Sequence, residues 1–419
     1  MPAYRTVDDI NLGDVEFWKR PIPEIDRAFA ALRAETRRGG GMCFHEEITL
    51  MGGNSPGPGY WSAVTHDDVR AVNREQQIFS SAGGVISNDP APEYLAVGSI
   101  IVTDNPRHHE LRSLVSKAFT PRALARTENS IRERARRLIG AARQTGGSCD
   151  FVESFAAPLP LQVICDMLGI PEEDEPKAFH WTNVLLGIGD PEMGADVNAV
   201  TTAATQFMEY AIGLGIARAE HPEDDLSSAL MQAEVEGERL TPFDFGAFVV
   251  LLAIAGNETT RHAMSWGMHQ LTEHPDQRAL LAANYEAMAP RAVEEIVRWA
   301  TPVVYMRRTA LADTVVGDTK ISAGEKVVMW YWSANRDEAV FEDAARFDIE
   351  RKNVAEMVGF GGGGTHFCLG ASLARRELTV MFDEILKGLP DLQISGPPTR
   401  LQGNFVNGIK SMPCEFSVR

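Results

Sequence analysis

The chain has 419 residues, 44% hydrophobic and 23% charged. This is an ordinary globular composition, long enough to bury a sizeable core, and it excludes disordered, collagen-like and coiled-coil classes. Lys and Arg number 40 against 58 Asp and Glu, a net charge of −18, which disfavours nucleic-acid and anionic lipid partners. The five cysteines, Cys43, Cys149, Cys165, Cys368 and Cys414, form no C-x-x-C pair. They suit a reducing compartment, where a special cysteine is a ligand or a nucleophile.

Met1 to Arg20 has no basic stretch followed by an apolar run, so no signal peptide is expected. Ile25 to Thr36 repeats apolar residues at helical spacing. Glu47 to Met51 and Tyr60 to Val64 read as strands. Ile131 to Ala142 and Val200 to Ala219 are again helical, and Thr241-Pro242 is a helix start, Thr as N-cap and Pro in the first turn. The helix it opens is nearly 30 residues long and apolar on all sides in its middle, so it should cross the core. The longest apolar run, about Phe245 to Ala255, is too short to span a bilayer. Pro275 to Met288 reads as helix, and Thr314 to Val316, Thr319 to Ile321 and Lys326 to Trp330 as strands. Asn407-Gly408 is a hairpin turn or a glycine within a strand. Together these predict one large domain over residues 1–419, mainly α with a smaller β-rich region, in the cytoplasm.

Four constellations carry chemistry. Asp104 to Arg112 (DNPRHHELR) puts His108 and Arg112 four apart on one helix face, fit to hold a carboxylate or simply to form an exposed basic face. Inside the long helix stands Ala255-Gly256-Asn257-Glu258-Thr259-Thr260. An acid beside a hydroxyl there could relay protons to an oxidant; the alternative is a helix kinked at Gly256 whose threonine bonds its own backbone. Glu295 and Arg298 form an E-x-x-R pair, which alone means little. Val358 to Gly370 reads VGFGGGGTHFCLG. Four consecutive glycines suit a backbone that must approach something flat and large, and Cys368 follows them just before an amphipathic helix. Amide groups at a helix start favour a thiolate, and a thiolate in a glycine-rich turn is a strong axial ligand for haem iron. A buried structural cysteine is the alternative.

The loop resembles the haem-binding signature of the cytochrome P450 family, F-x-x-G-x-H/R-x-C-x-G, with Gly364, His366, Cys368 and Gly370 in place. The usual Phe position is Gly361, and Phe360 lies one residue earlier. This longer loop is similar to that of actinobacterial hydroxylases of methyl-branched lipids and cholesterol. The other three constellations are similar to the family's D-x-P-x-H-x-x-x-R, A/G-G-x-D/E-T and E-x-x-R motifs, in the same order.

The resemblance implies a cytochrome P450 fold and a haem b cofactor with Cys368 as the iron ligand. It implies a mono-oxygenase that hydroxylates a lipophilic substrate (methyl-branched lipid, isoprenoid or steroid) with O2. Glu258 would feed protons and Thr259 would hydrogen-bond the oxidant. His108, Arg112 and Arg308 or its neighbour Arg307 would hold the haem carboxylates. Ala255, Gly256, Val303, Phe360, Gly361, His366 and Gly370 would surround the haem. Arg346 would complete a structural Glu–Arg–Arg network. Ile86, Ile101, Phe248, Leu252, Ala255, Val303, Val304, Phe405 and Val406 would line the substrate pocket. No flavin motif or iron–sulfur cysteine set is present, so electrons would come from a ferredoxin and a ferredoxin reductase with NAD(P)H. Arg375, Arg376, Lys117 and Arg122 would form a docking patch, or be ordinary solvated charges. A peroxide-driven peroxygenase and a non-enzymatic haem sensor are the rival readings.

Overall fold

The computed structural model describes residues 7–47, 57–89, 99–116, 119–120, 124, 127–186, 197–235 and 237–418. In chain order its main helices are α1 Ile22–Glu35, α2 His66–Arg74, α3 Arg107–Ser116, α4 Glu128–Arg143, α5 Pro158–Leu168, α6 Glu175–Leu186, α7 Val197–Glu220, α8 Pro242–Glu273, α9 Pro275–Ala283, α10 Tyr285–Ala300 and α11 Ala371–Gly388. The strands that frame them are β1 Cys43–His45, β2 Tyr60–Ala63, β3 Phe79–Ser80, β4 Ser148–Asp150, β5 Tyr305–Ala310, β6 Lys326–Trp330, β7 Gln393–Ile394, β8 Thr399–Arg400, β9 Ile409–Ser411 and β10 Pro413–Glu415.

The long helix α8 is the axis of the molecule. Its start is fixed by a reciprocal capping box: the Asp244 N–H donates to Thr241 Oγ1 (3.0 Å), and the Thr241 N–H donates to the Asp244 carboxylate (3.2 Å). Helices α5, α7 and α10 pack around it, so that Phe245, Val249, Ala253, Met264, Trp266 and Leu271 are buried in the largest apolar cluster. Among the described residues α8 is the one helix long and apolar enough to cross a membrane, and its apolar window is more than half buried within this core. Helix α11 lays Leu378, Met381, Phe382 and Ile385 into the same cluster. Ion pairs from Arg132 to Asp383 (2.7 Å) and Glu384 (2.6 Å) clamp it to α4.

The β-rich region lies beside this helical body. A five-stranded sheet runs in the order β1-β2-β6-β5-β3, with β6 parallel to β2 and antiparallel to β5. Its core is aromatic: Trp18 stacks on Trp330 at 5.5 Å, with Phe29, Tyr60 and Tyr305 around them. A second antiparallel sheet, β7-β10-β4, joins the C-terminus to the segment before α5. The Thr314–Val316 and Thr319–Ile321 segments pair as a hairpin, as their β-branched pattern predicts.

Two expectations are corrected here, and a third, the strand Glu47 to Met51, falls on residues of which 48–51 lie outside the described ones. Among the described residues the first strand is Cys43–His45, and Glu47 receives Lys326 Nζ at 2.6 Å in a buried ion pair. The Pro275 to Met288 stretch is two helices, broken at Asn284 (φ −145°, ψ 53°). Asn407-Gly408 is neither a two-residue hairpin turn nor mid-strand. It closes the connection from β8 to β9, where Gly408 O accepts from Leu401 N (2.9 Å), and a Cβ on Gly408 would fall 2.1 Å from Leu401 Cδ1.

Candidate active site

Gly361 to Gly364 all have positive φ (98°, 52°, 106° and 81°), a run only glycine sustains without strain. A Cβ on Gly364 would stand 2.2 Å from Asn73 O, Arg74 lies against Gly363, and Asn73 donates its side-chain amide to Gly361 O. The glycines thus dock one side of the loop on α2. The turn ends where Cys368 N donates to Phe360 O (2.9 Å). Phe360 lies partly buried against the main core, with the Arg375 guanidinium 4.3 Å above its ring.

Cys368 precedes α11, whose N-cap is Gly370. Protein surrounds the thiol on all sides, yet the residue is accessible, so it faces an internal space. Burial pushes the thiol up, and the amides of Gly370 and Ala371 together with Arg112 and Arg375 oppose that push. Such donors favour a sulfur that carries negative charge. On α8, Ala255 is exposed although its helix crosses the core, while Leu252 and Phe248, one and two turns earlier, are buried.

Four basic side chains from three parts of the chain converge near the thiol. His108 and His366 stack with ring centroids 4.1 Å apart. Arg112 donates to Phe367 O (2.7 Å), and Arg308 donates to Asn73 Oδ1 (3.2 Å). Burial, reinforced by Arg308, His108 and Arg112, drives the His366 pKa down to about 2; burial and Arg112 take His108 down to about 4. The nearby carboxylate of Asp104 is already held by Ser80 and the Ser81 N–H. His108 Nε2 is buried without a partner. The two guanidinium groups of Arg112 and Arg308, beside an unpartnered His108 ring nitrogen, call for an anion. A thiol in a nest of amides beside such a cluster fits the iron and the carboxylates of a haem.

The neighbouring Arg307 is excluded from this cluster. It donates to the carbonyls of Gly83 (2.6 Å) and Asn88 (3.1 Å) and pairs with Asp89 (2.8 Å), anchoring the segment after β3. Of the pocket residues named from sequence, Val303 bridges Val406 as an isolated β-pair, and Val304 N donates to Phe405 O (2.9 Å). Val304 is buried within the aromatic cluster of the sheet. Ile86 and Ile101 are half-buried, and residues 90–98 between them lie outside the described ones.

The acid–hydroxyl pair is closed. Helix α8 is continuous through Gly256, and Ile164 of α5 fills the space a Cβ there would take (2.8 Å). Thr259 Oγ1 donates to Ala255 O (2.8 Å). Glu258 is buried, with Arg261 Nη1 at 2.9 Å and His262 Nε2 at 2.7 Å from its two oxygens, the latter contact poorly directed. Burial alone would raise its pKa; His262 and Arg261 outweigh that and hold the carboxyl below its usual range. His262 Nδ1 accepts from Ile409 N (3.2 Å), which leaves the ring proton on Nε2, facing Glu258. The sequence reading missed Arg261 and His262, although spacings of three and four from an acid on a helix are the signal for such partners.

The Glu–Arg network is also corrected. Arg298 Nε and Nη2 reach the two oxygens of Glu295 (2.6 and 2.7 Å), and the third member is Arg351, whose Nε lies 3.2 Å from Glu295 Oε2. Arg346 contributes only its carbonyl, to Arg298 (3.0 Å) and Arg351 (2.9 Å). The docking patch shrinks as well. Arg375 is paired with Glu294 and Arg376 with Glu128, while Lys117 and Arg122 lie outside the described residues.

Comparison with known proteins agrees with this geometry. The Cytochrome P450 family profile matches residues 192–389. The methyl-branched lipid omega-hydroxylase of Mycobacterium tuberculosis is 46% identical over 99% of this chain and 96% of its own. The steroid C26-monooxygenase of the same organism is 39% identical, over 99% and 95%. A solved Mycobacterium marinum cytochrome P450 in complex with pseudoionone superposes with a TM-score of 0.91 at 42% identity, over 99% of this chain and 100% of that one. The chain belongs to the cytochrome P450 family. It is a mono-oxygenase with a haem-iron cofactor.

Arg308→Ala and Arg112→Ala are each expected to purify with reduced haem content, since a hydrogen bond to a charged group contributes about 1.5–3 kcal/mol. The ratio of haem absorbance to protein, measured beside Arg307→Ala as a control outside the cluster, checks this. Equal occupancy in all three variants would contradict the assignment.

Proposed function

We propose that residues 1–419 act as one unit that hydroxylates a methyl-branched lipid, isoprenoid or steroid in the cytoplasm, on haem b, with electrons from a ferredoxin and its reductase. The observation that carries the reading is Cys368, accessible at the start of α11 with the Gly370 and Ala371 amides on its sulfur and Arg112 beside it. The substrate class follows from the apolar residues of α8 and from the relatives, one named for methyl-branched lipids and another for steroids. Val303, Phe405 and Val406, paired at one edge, supply a further apolar wall.

When bound, the haem supplies the oxidising chemistry. Cys368 would ligate the iron through a sulfur kept electron-rich by the Gly370 and Ala371 amides. Arg112 and Arg308 would neutralise the haem carboxylates, and neutral His108 would donate a hydrogen bond to them. Thr259 would exchange its bond to Ala255 O for one into the internal space. Glu258 would deliver a proton after loosening its hold on Arg261, with His262 Nε2–H keeping its carboxylate in place between turnovers.

The test is a spectral titration of the purified holoprotein with branched-chain acids, terpenoids and steroids, followed by product analysis with ferredoxin, reductase and NAD(P)H. A saturable spectral shift with one of these classes and a product carrying one added oxygen are expected. Shifts only with small polar compounds would overturn the substrate class.

A further inference from the structure

In the antiparallel sheet β7-β10-β4, Cys149 of β4 stands directly opposite Cys414 of β10, and their sulfurs are 3.5 Å apart. Both are free thiols. The ladder continues on either side through Phe151 N to Met412 O (2.8 Å) and Phe416 N to Gly147 O (2.9 Å), so the two residues occupy a hydrogen-bonded pair position. At such positions the Cα atoms lie about 5.5 Å apart, inside the range a disulfide spans. Only the sulfurs need to close on each other.

From this juxtaposition we infer that Cys149 and Cys414 form a reversible thiol–disulfide site, separate from the haem site, that exchanges with small disulfides. The two cysteines are unequal in the way such chemistry requires. β4 is the edge strand of its sheet, and Cys149 on it is half-buried; Cys414 on the central strand is buried. The hydrogen bond between the sulfurs pulls the Cys149 thiol down and pushes Cys414 up. Cys149 is therefore the attacking sulfur and Cys414 the resolving one.

The Cys149 thiolate attacks one sulfur of the small disulfide, forms a mixed disulfide and expels one thiolate. Cys414 then loses its proton and attacks Cys149 Sγ, expelling the second thiolate. Two protein thiols are oxidised by two electrons, and one small disulfide is reduced to two thiols. The other cysteines lack this arrangement: Cys43 faces Ser62 across its ladder, and Cys165 is in the core with its thiol pushed up to about 12 by burial.

The experiment treats reduced holoprotein with oxidised glutathione, blocks residual thiols and maps the peptides by mass spectrometry. The expected result is a Cys149–Cys414 cross-linked peptide with the loss of two hydrogens, reversed by dithiothreitol, while Cys43 and Cys165 stay alkylatable. In Cys414→Ser, glutathione should instead remain attached to Cys149, on the order of tenfold faster than to Cys43. Absence of the cross-link in the wild-type protein, or a stable glutathione adduct on its Cys149, overturns the proposal whether or not the serine variant folds.

Discussion

Arg298→Ala is expected to fold poorly or not at all. Glu295 and Arg298 have no solvent exposure, and Arg351 is nearly as buried. The Glu295 carboxylate takes both guanidinium groups and the Asp348 N–H (2.9 Å), while Arg298 also bridges to the carbonyls of Asn335 (2.6 Å) and Ala344 (2.8 Å). Removing Arg298 leaves Glu295 only the longer contact with Arg351 (3.2 Å) and strips the buried Asn335 and Ala344 carbonyls of their shared donor; breaking a buried pair in this way costs about 3–5 kcal/mol. A domain has about 5–15 kcal/mol in total, so the loss is a large fraction of it. Arg351→Ala should approach the same loss, and Arg346→Ala should be near neutral because only its carbonyl is used. Thermal melting of the three variants checks this order; equal destabilisation by Arg346→Ala and Arg351→Ala would contradict the network.

Thr259→Ala is expected to bind substrate and consume NAD(P)H, with hydrogen peroxide replacing most of the hydroxylated product. The Thr259 hydroxyl, bonded to Ala255 O at 2.8 Å, lies one turn beyond the exposed Ala255 and is freed when that bond is released. Glu258→Gln should slow turnover by ~100-fold or more, the scale of a lost acid–base group. It should also lower stability, because Arg261 loses its buried counter-charge. His262→Gln separates the two effects: an amide can accept from Ile409 N and donate to Glu258 as the imidazole does, so it should keep more coupling than His262→Ala. Product formed per NAD(P)H, read beside peroxide release, decides. Full coupling in Thr259→Ala would end the relay account.

Much of the site was legible because its chemistry is local in sequence. VGFGGGGTHFCLG states a thiol at a helix start, and His108 with Arg112 states a shared basic face. What was not legible depends on partners far along the chain. Arg346 and Arg351 lie in the same stretch of turns before the cysteine loop, and only the path of the backbone decides which guanidinium points at Glu295. That the four glycines dock on Asn73 of α2, 288 residues from Gly361 in sequence, was not legible in their own run. Gly256 read as a weak point, yet Ile164 packs where its side chain would be. The apolar period of Pro275 to Met288 ran through Asn284 without registering the break, since an isolated turn leaves the pattern on both sides intact.

The claim on which the rest depends is that Cys368 is the haem ligand, and the spectrum of the reduced, carbon monoxide-treated protein tests it most directly. The wild-type protein should show the long-wavelength Soret band of a thiolate-ligated haem, and Cys368→His should bind haem without it. Retention of that band in Cys368→Ala would mean that another of the five cysteines holds the iron, and the site described here would not be the active site.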